Sequence, residues 1–409
     1  MAIDHRDEAT DDGRIAALVQ PLAPRPGREV VTAGFVALVD CAPLIVARDK
    51  GFAERQGLEL TLVRETSWAN IRDRIFLGHF DAAQMLAPMT IAATLGLGLP
   101  AAPVLAPLVL DLNGNAITVT TAVKDAMRRT GDAGDLDRPG AAGAALKRIV
   151  AARREAGEMP LTFGMTYPFS SHNYELRYWL ASAGIDPDRD VRLTVVPPPM
   201  MAATMSAGHV DGYCVGAPWP TVAVAAGIGH VVATSVALKP GSMEKVLGVR
   251  KAWADRHPER LDALIRAVTA ACAWCDDPAN RPELAAMLAR PGILDVSADL
   301  ILAALSGRIL TDPGAAPVPV ANYLRFSGRN RPSVAGARWY AAEMVRWGQT
   351  ANLDAALAAA GITFRGDLYD RALGLAGPAS ADRAVTLFDG VTFDANDPAA
   401  YLARLANDA

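Results

Sequence analysis

What is scarce in this chain narrows its class first. Of 409 residues only four are cysteine, Cys41, Cys214, Cys272 and Cys275. They are too few and too irregularly spaced for a disulfide scaffold, and no second pair completes a four-ligand zinc site. Cys272-Ala-Trp-Cys275 falls inside a helical pattern, which makes both thiols packing residues. No long basic stretch occurs and the formal net charge is −4, so the electrostatic footprint of direct nucleic-acid binding is missing. Any contact with nucleic acid is therefore indirect. The opening "MAIDHRDEATDDGRIAALVQPLAPRPGREV" is acidic and holds no basic n-region, no long apolar run and no nearby cysteine for lipid attachment. It predicts a flexible tail over 1–27 and a cytoplasmic location.

Catalytic signatures are missing too. "GLGLP" at Gly96 and Gly98 lacks the third glycine of a dinucleotide fingerprint, and the chain contains no Walker A, HExxH or G-x-S-x-G motif. No nucleophile has an evident base, so a binding protein without metal or cofactor is expected rather than an enzyme. The long uncharged run from Ala82 to Leu110 is broken by Pro88, Pro100, Pro103 and Pro107. It reads as buried strand, helix and strand, not as a membrane span.

What is present is ordinary globular material, 51 % hydrophobic and 21 % charged, in a chain long enough for two domains or lobes. "EVVTAGFVALVD", "LELTLVRE" and "FDAAQML" read as strands separated by helices, which predicts a parallel α/β sheet. After "PVLAPLVLDLNGNAITVTT" comes "RTGDAGDLDRPGAAGAALKR", rich in Gly, Asp and Ala as a connection into a new helix should be. A second α/β run follows from "LTFGMTY" to "VDGYCVG", and "EKVLGVR" returns to the first sheet. The predicted organisation is lobe 1 over 28–123, lobe 2 over 124–240, a second segment of lobe 1 over 241–315, and a C-terminal helical extension over 316–409 packed on lobe 1. Sites in such sheets lie at the carboxyl ends of strands, where helix N-termini gather.

Four residues are candidates on those grounds. In "RETSWANIRDRI" a strand ends, Thr66 or Ser67 can cap the next helix, and Trp68 stands at its first turn. A helix start attracts anions, and an indole offers a flat wall with one N–H donor; the alternative is a core tryptophan. His172 in "TYPFSSHNYELRYW" repeats this layout from the other lobe, or is an ordinary satisfied histidine. Lys245 precedes the returning strand, or is solvated; if buried it needs a counter-charge, which a monoanion would supply. Asp40 follows the first strand and reads more readily as a helix cap than as a cleft residue.

Taken together, "LVDCAPLIVARDKGF", "SWANIRDRI", "DAAQMLAPM", "NGNAITV", "SHNYELRYWLASAGIDP", "VDGYCVGAPW", "MEKVLGVRKAW", "RWGQ" and "LFDGVTFDANDPAAYL" resemble the nitrate- and bicarbonate-binding proteins of bacterial ABC importers, the NrtA/CmpA family. The resemblance implies an α/β, bilobal, periplasmic-binding-protein-like (type II) fold. In its nitrate-binding members a tryptophan, a histidine, a glycine and a lysine surround the anion, and the matching positions are Trp68, His172, Gly216 and Lys245. A family glutamine after the "NG" turn is replaced by the shorter Asn115. Bicarbonate binders carry an acidic residue at the lysine position, so Lys245 implies nitrate or nitrite. Ala217 stands where the family's "GEPW" has a glutamate, which argues against a metal role there.

The start of the chain makes the NasS-type cytoplasmic nitrate/nitrite sensor the nearest branch. That branch implies a protein partner, an RNA-binding ANTAR-type antiterminator (NasT-type), released when the anion closes the lobes about crossings near 120–125 and 240–245. The alternative is the substrate-binding protein of a nitrate/nitrite ABC transporter. An enzyme on this scaffold, like thiamine-pyrimidine synthases, lacks the residues it would need.

Overall fold

The computed structural model describes residues 27–130, 136–376 and 384–407. The tail expected over 1–27 therefore lies outside the described residues except for Gly27, as do residues 131–135 of the Gly/Asp/Ala-rich connection.

Strands β1 (Glu29–Val36), β2 (Leu58–Glu65), β3 (Ala82–Leu86) and β4 (Val104–Val109) come from the first stretch of chain. The short β5 (Leu112–Asn113) is followed by β6 (Asn115–Thr120), β7 (Thr162–Met165), β8 (Arg192–Val195), β9 (Gly212–Gly216) and β10 (Gly229–Thr234). The chain then returns through β11 (Lys245–Arg250). Two five-stranded sheets result, ordered β2-β1-β3-β11-β4 and β10-β6-β9-β7-β8. In the first, β2, β1 and β3 run parallel while β11 opposes both β3 and β4. In the second, β8, β7 and β9 run parallel and β6 opposes β9 and β10. This is the type II-like bilobal architecture, each sheet taking one reversed strand beside a crossing between lobes.

The run Ala82–Leu110 is buried strand, helix Ala87–Leu95 and strand. Among the described residues no helix is long and apolar enough to cross a membrane. Cys272 and Cys275 lie buried as free thiols in helix Pro258–Asp276.

The first crossing differs from expectation. β6 pairs in the second sheet, so the chain leaves lobe 1 at 110–114 and not at 120–125. β4 and β6 are both almost wholly buried, β6 although it carries Asn115, Thr118 and Thr120, so no exposed linker marks the boundary. Only the bend at Asn113 and Gly114, with φ of 64° and 84°, marks the switch. A Cβ added at Gly114 would sit 2.9 Å from Leu324 Cδ1, so both the left-handed conformation and the close approach call for glycine. The return crossing occupies 239–244 and pairs with the first. Asn113 N–H donates to Ser242 O at 2.9 Å, Glu244 N–H to Asp111 O at 3.2 Å and Leu110 N–H to Lys245 O at 2.9 Å.

The C-terminal extension also departs from expectation, because it touches both lobes. Helix Leu353–Thr363 packs on Ala87–Leu95, and Gly366–Leu373 packs on Pro258–Asp276, all on lobe 1. On lobe 2, however, Tyr174 O–H donates to Gln349 Oε1 at 2.6 Å, Gln349 Nε2 donates to Pro168 O at 3.0 Å, and Tyr178 O–H reaches Asp389 Oδ2 at 2.9 Å. An amphipathic pattern shows that a helix has a buried face, but not which element covers it.

Candidate functional site

The polar residues of interest gather where the sheets meet, at strand ends and helix starts. Ser67 ends β2's connection in extended backbone and caps helix Trp68–Leu77, its Oγ accepting from Asn70 N–H at 3.2 Å. This places Trp68 at the first helical position, fully buried, with its indole N–H meeting no partner among the described residues. Ser170 likewise caps helix Ser171–Ser182 through Asn173 N–H at 3.0 Å, which carries His172 to the interface from the other lobe.

Lys245 is the hub. Its backbone N–H donates to Asp111 Oδ1 at 2.8 Å, tying the start of β11 to the first crossing. Its Nζ lies 2.6 Å from Glu244 Oε1, 2.9 Å from Asp40 Oδ2 and 5.5 Å from the centre of the Trp68 ring. Burial would lower its pKa, but Asp40, Glu244 and Asp111 outweigh that and hold the ammonium above the usual lysine range. The counter-charge that the sequence reading assigned to a bound anion is therefore already supplied by the protein's own carboxylates.

Glu244 joins the remaining groups. Its Oε1 stands 3.3 Å from His172 Nδ1, and its Oε2 accepts from Asn115 Nδ2 at 3.0 Å and from the Ser171 hydroxyl. His172 Nδ1 is also 3.2 Å from Thr166 Oγ1, while Nε2 is buried without a partner among the described residues. Burial, and then the charge of Lys245, push the His172 pKa well below the ordinary histidine value, so the imidazole is neutral. Asn115 Nδ2 also donates to Glu175 Oε2 at 3.1 Å. With its amide hydrogens held by two carboxyl groups, Asn115 turns Oδ1 outward, again without a partner.

Gly216 pairs with Asn115 in the β6–β9 register. A Cβ added there would lie 3.0 Å from Leu38 Cδ2 and 3.4 Å from both Asn115 Oδ1 and Asp40 Oδ2. The close approach of Leu38 thus calls for glycine, and two oxygen acceptors face it. The structure brings Trp68, Asn115, His172, Gly216 and Lys245 into one buried cluster, and in this orientation Asn115 turns an acceptor and no donor toward Gly216.

Asp40 reads differently from the sequence expectation. The short helical turn Val39–Cys41 and helix Ala42–Asp49 have no side-chain cap. Instead the Asp40 carboxylate accepts from Gln84 Nε2 and faces Lys245. Burial raises its pKa to about 6 against the lowering effect of Lys245. Asp111, Glu175, Glu244 and Gln84 were not singled out by sequence, although signals existed. Asp111 and Gln84 are isolated polar residues in apolar runs, Glu244 abuts Lys245, and Glu175 stands one helical turn from His172. Burial and then Glu244 raise the Glu175 pKa to about 8; burial lowers Lys239 to about 8, with Glu175 and Glu244 opposing.

Charged groups held at the junction of two α/β lobes, with helix starts facing inward, define a bilobal protein of the periplasmic-binding-protein type. The chain belongs to the NMT1-like family, whose model matches residues 25–289, and among its members it groups with the NrtA/CmpA proteins. It is 34 % identical over 388 residues to the nitrate/nitrite binding protein NrtA of Synechococcus elongatus, covering 91 % of this chain and 85 % of that one. It is 37 % identical over 381 residues to the bicarbonate transport ATP-binding protein CmpC of the same species, covering 91 % of this chain and 54 % of CmpC. The chain therefore spans about half the length of the first curated relatives it matches. The crystal structure of the periplasmic nitrate-binding protein NrtA from Synechocystis PCC 6803 superimposes with a TM-score of 0.85 at 30 % identity, covering 93 % of this chain and all of that one.

Proposed function

We propose that this protein binds nitrate or nitrite between its lobes, with Trp68, His172, Gly216 and Lys245 around the anion. The observation that carries this reading is the buried indole N–H of Trp68, a donor without a partner among the described residues, whose ring lies 5.5 Å from the buried ammonium of Lys245. A buried polar group with no partner costs about 1–3 kcal/mol. A small planar anion that accepts from the indole N–H and from Lys245 removes that cost without a metal, with His172 as a neutral wall whose Nδ1–H faces Glu244. The similarity to NrtA supports the same choice, and the lysine at 245 favours nitrate or nitrite over bicarbonate by the family pattern.

Because Trp68, His172 and Lys245 are all fully buried, the anion reaches them only when the lobes part. The paired crossings at 110–114 and 239–244 are the natural hinge. Titration calorimetry with nitrate, nitrite and bicarbonate tests the reading, which expects heat from the first two and none from the third.

What reads the bound state is the finer question. The transport names of the relatives support a substrate-binding protein serving an ABC importer. The resemblance to NasS-type proteins supports a cytoplasmic sensor whose ANTAR-type antiterminator partner is released by the anion. In the sensor, closure must disfavour the partner, and the partner must weaken anion binding by the same factor. Co-purification of the antiterminator, lost on adding nitrate, identifies the sensor; nitrate-independent absence of that partner identifies the importer's binding protein.

A further inference from the structure

The acids of the site outnumber its bases. Asp40, Asp111, Glu175 and Glu244 are buried there with Lys239 and Lys245, and His172 is neutral. Asp111 and Glu175 are held above the ordinary carboxylate range and add no charge near neutral pH, so the two lysines are already balanced by Asp40 and Glu244, and an added monoanion leaves one negative charge in excess unless a carboxylate is discharged. The geometry raises the same difficulty independently. Asp40 Oδ2 stands on Lys245 Nζ at 2.9 Å and faces Gly216 together with Asn115 Oδ1; nitrate is itself only an acceptor, so an anion on Lys245 there would set lone pair against lone pair. Asn115 cannot turn its amide inward, since Glu175 and Glu244 hold both of its contacts through Nδ2. The hydrogen has to come from Asp40.

Resting on the anion-binding reading above, we propose that the anion enters together with one proton: it takes the place of the Asp40 carboxylate on Lys245, and Asp40, protonated from solvent, donates a hydrogen bond to the anion. Nitrate is the anion of a strong acid, so the proton stays on the protein. No bond other than O–H forms, and one positive charge accompanies one negative charge into the site.

The groups facing Asp40 fit this assignment. β11 presents Lys245 and Glu244, the first crossing presents Asp111, β3 presents Gln84, and the adjacent thiol is Cys41. His172 approaches Lys245 from lobe 2 through Glu244. Of these carboxyl groups, Asp40 is the one held near 6 in the unliganded site, where a proton is available around neutral pH. Asp111 is held well above the carboxylate range by burial and Asp40, and Glu175 near 8. An anion touching Asp40 raises its pKa further. Between the free and the bound value, affinity rises as pH falls, and it levels off below about 6.

The test is calorimetric titration of nitrate into the full chain at several pH values, in buffers of different ionisation enthalpy. The expected result is uptake of roughly one proton near pH 7 and a Kd that weakens by up to about tenfold from pH 7 to 8. Asp40→Asn, which keeps the Gln84 contact and carries N–H where the protonated acid carries O–H, should bind nitrate with a pH-independent Kd and no proton uptake. A native Kd constant between about pH 6 and 8 with no proton exchange overturns the proposal. Undiminished proton uptake in Asp40→Asn overturns it as well, because the proton is then on another group. Should that variant not fold, the native titration alone decides. Failure of nitrate to bind at any pH would instead overturn the anion-binding reading itself.

Discussion

Lys245 and Asp40 form an ion pair of 2.9 Å in which neither side chain is open to solvent. The two residues come from the two separate segments of lobe 1, and Glu244 closes the group on the other side of the ammonium. Removing one member of a buried charged set leaves its partners uncompensated, which costs about 3–5 kcal/mol. Lys245→Met should therefore lower stability by roughly that amount, measured by urea unfolding at pH 7. A loss below about 1 kcal/mol would mean that the lysine is not the counter-ion of this cluster.

The hinge rests on Asn113. Its Oδ1 accepts the backbone amides of Gly241 at 3.0 Å and Ser242 at 3.1 Å, and its φ is 64°. Asn113→Ala removes both contacts and keeps an unfavourable backbone, whereas Asn113→Gly removes the contacts alone. Alanine should cost about 2–3 kcal/mol and glycine about 1 kcal/mol less. Hydrogen exchange at the amides of 241 and 242 should accelerate in both variants.

Glu175 sets a pH dependence of stability. Burial, and then the charge of Glu244, hold its carboxyl near 8 in the folded chain against the ordinary 4.5, so between those values the folded chain holds a proton that the unfolded chain releases. Its stabilising contribution is complete below the unfolded value and is lost as pH rises through about 8. Glu175→Gln presents the same shape without a titrating group and keeps an oxygen for Asn115. The variant should overtake the native protein in stability as pH rises across that window, read from thermal unfolding curves at a series of pH values.

Gln349 straps the extension to lobe 2 through Tyr174 and Pro168. Gln349→Ala should cost about 1–2 kcal/mol and increase protease sensitivity in the segment from Thr350 to Leu353. Unchanged cleavage there would show that Gln349 does not hold the extension to lobe 2.

The readable part of this molecule was the part whose signal is local. The alternation of β2, the Ser67 cap before Trp68 and the apolar face of Pro258–Asp276 follow from spacing and side-chain chemistry. The two sheets could be seen in outline, but the crossing at Asn113-Gly114 could not, because a two-residue bend between buried strands reads the same whether it joins strands of one sheet or of two. Trp68, His172 and Lys245 were visible as unusual residues at helix or strand starts. Asp40 was mistaken for a cap because an acid before a helix ordinarily is one. The partners that hold Lys245 depend on residues far apart in the chain meeting at one point, which single-residue patterns do not encode.

Titration of nitrate into the native protein and into Trp68→Phe and Lys245→Glu tests the central claim most directly. The account predicts one nitrate per native chain, roughly tenfold weaker binding when the indole N–H is replaced by a ring without it, and no detectable binding when the ammonium becomes a carboxylate. Equal nitrate affinity in all three proteins, or no nitrate binding by the native chain, would contradict it.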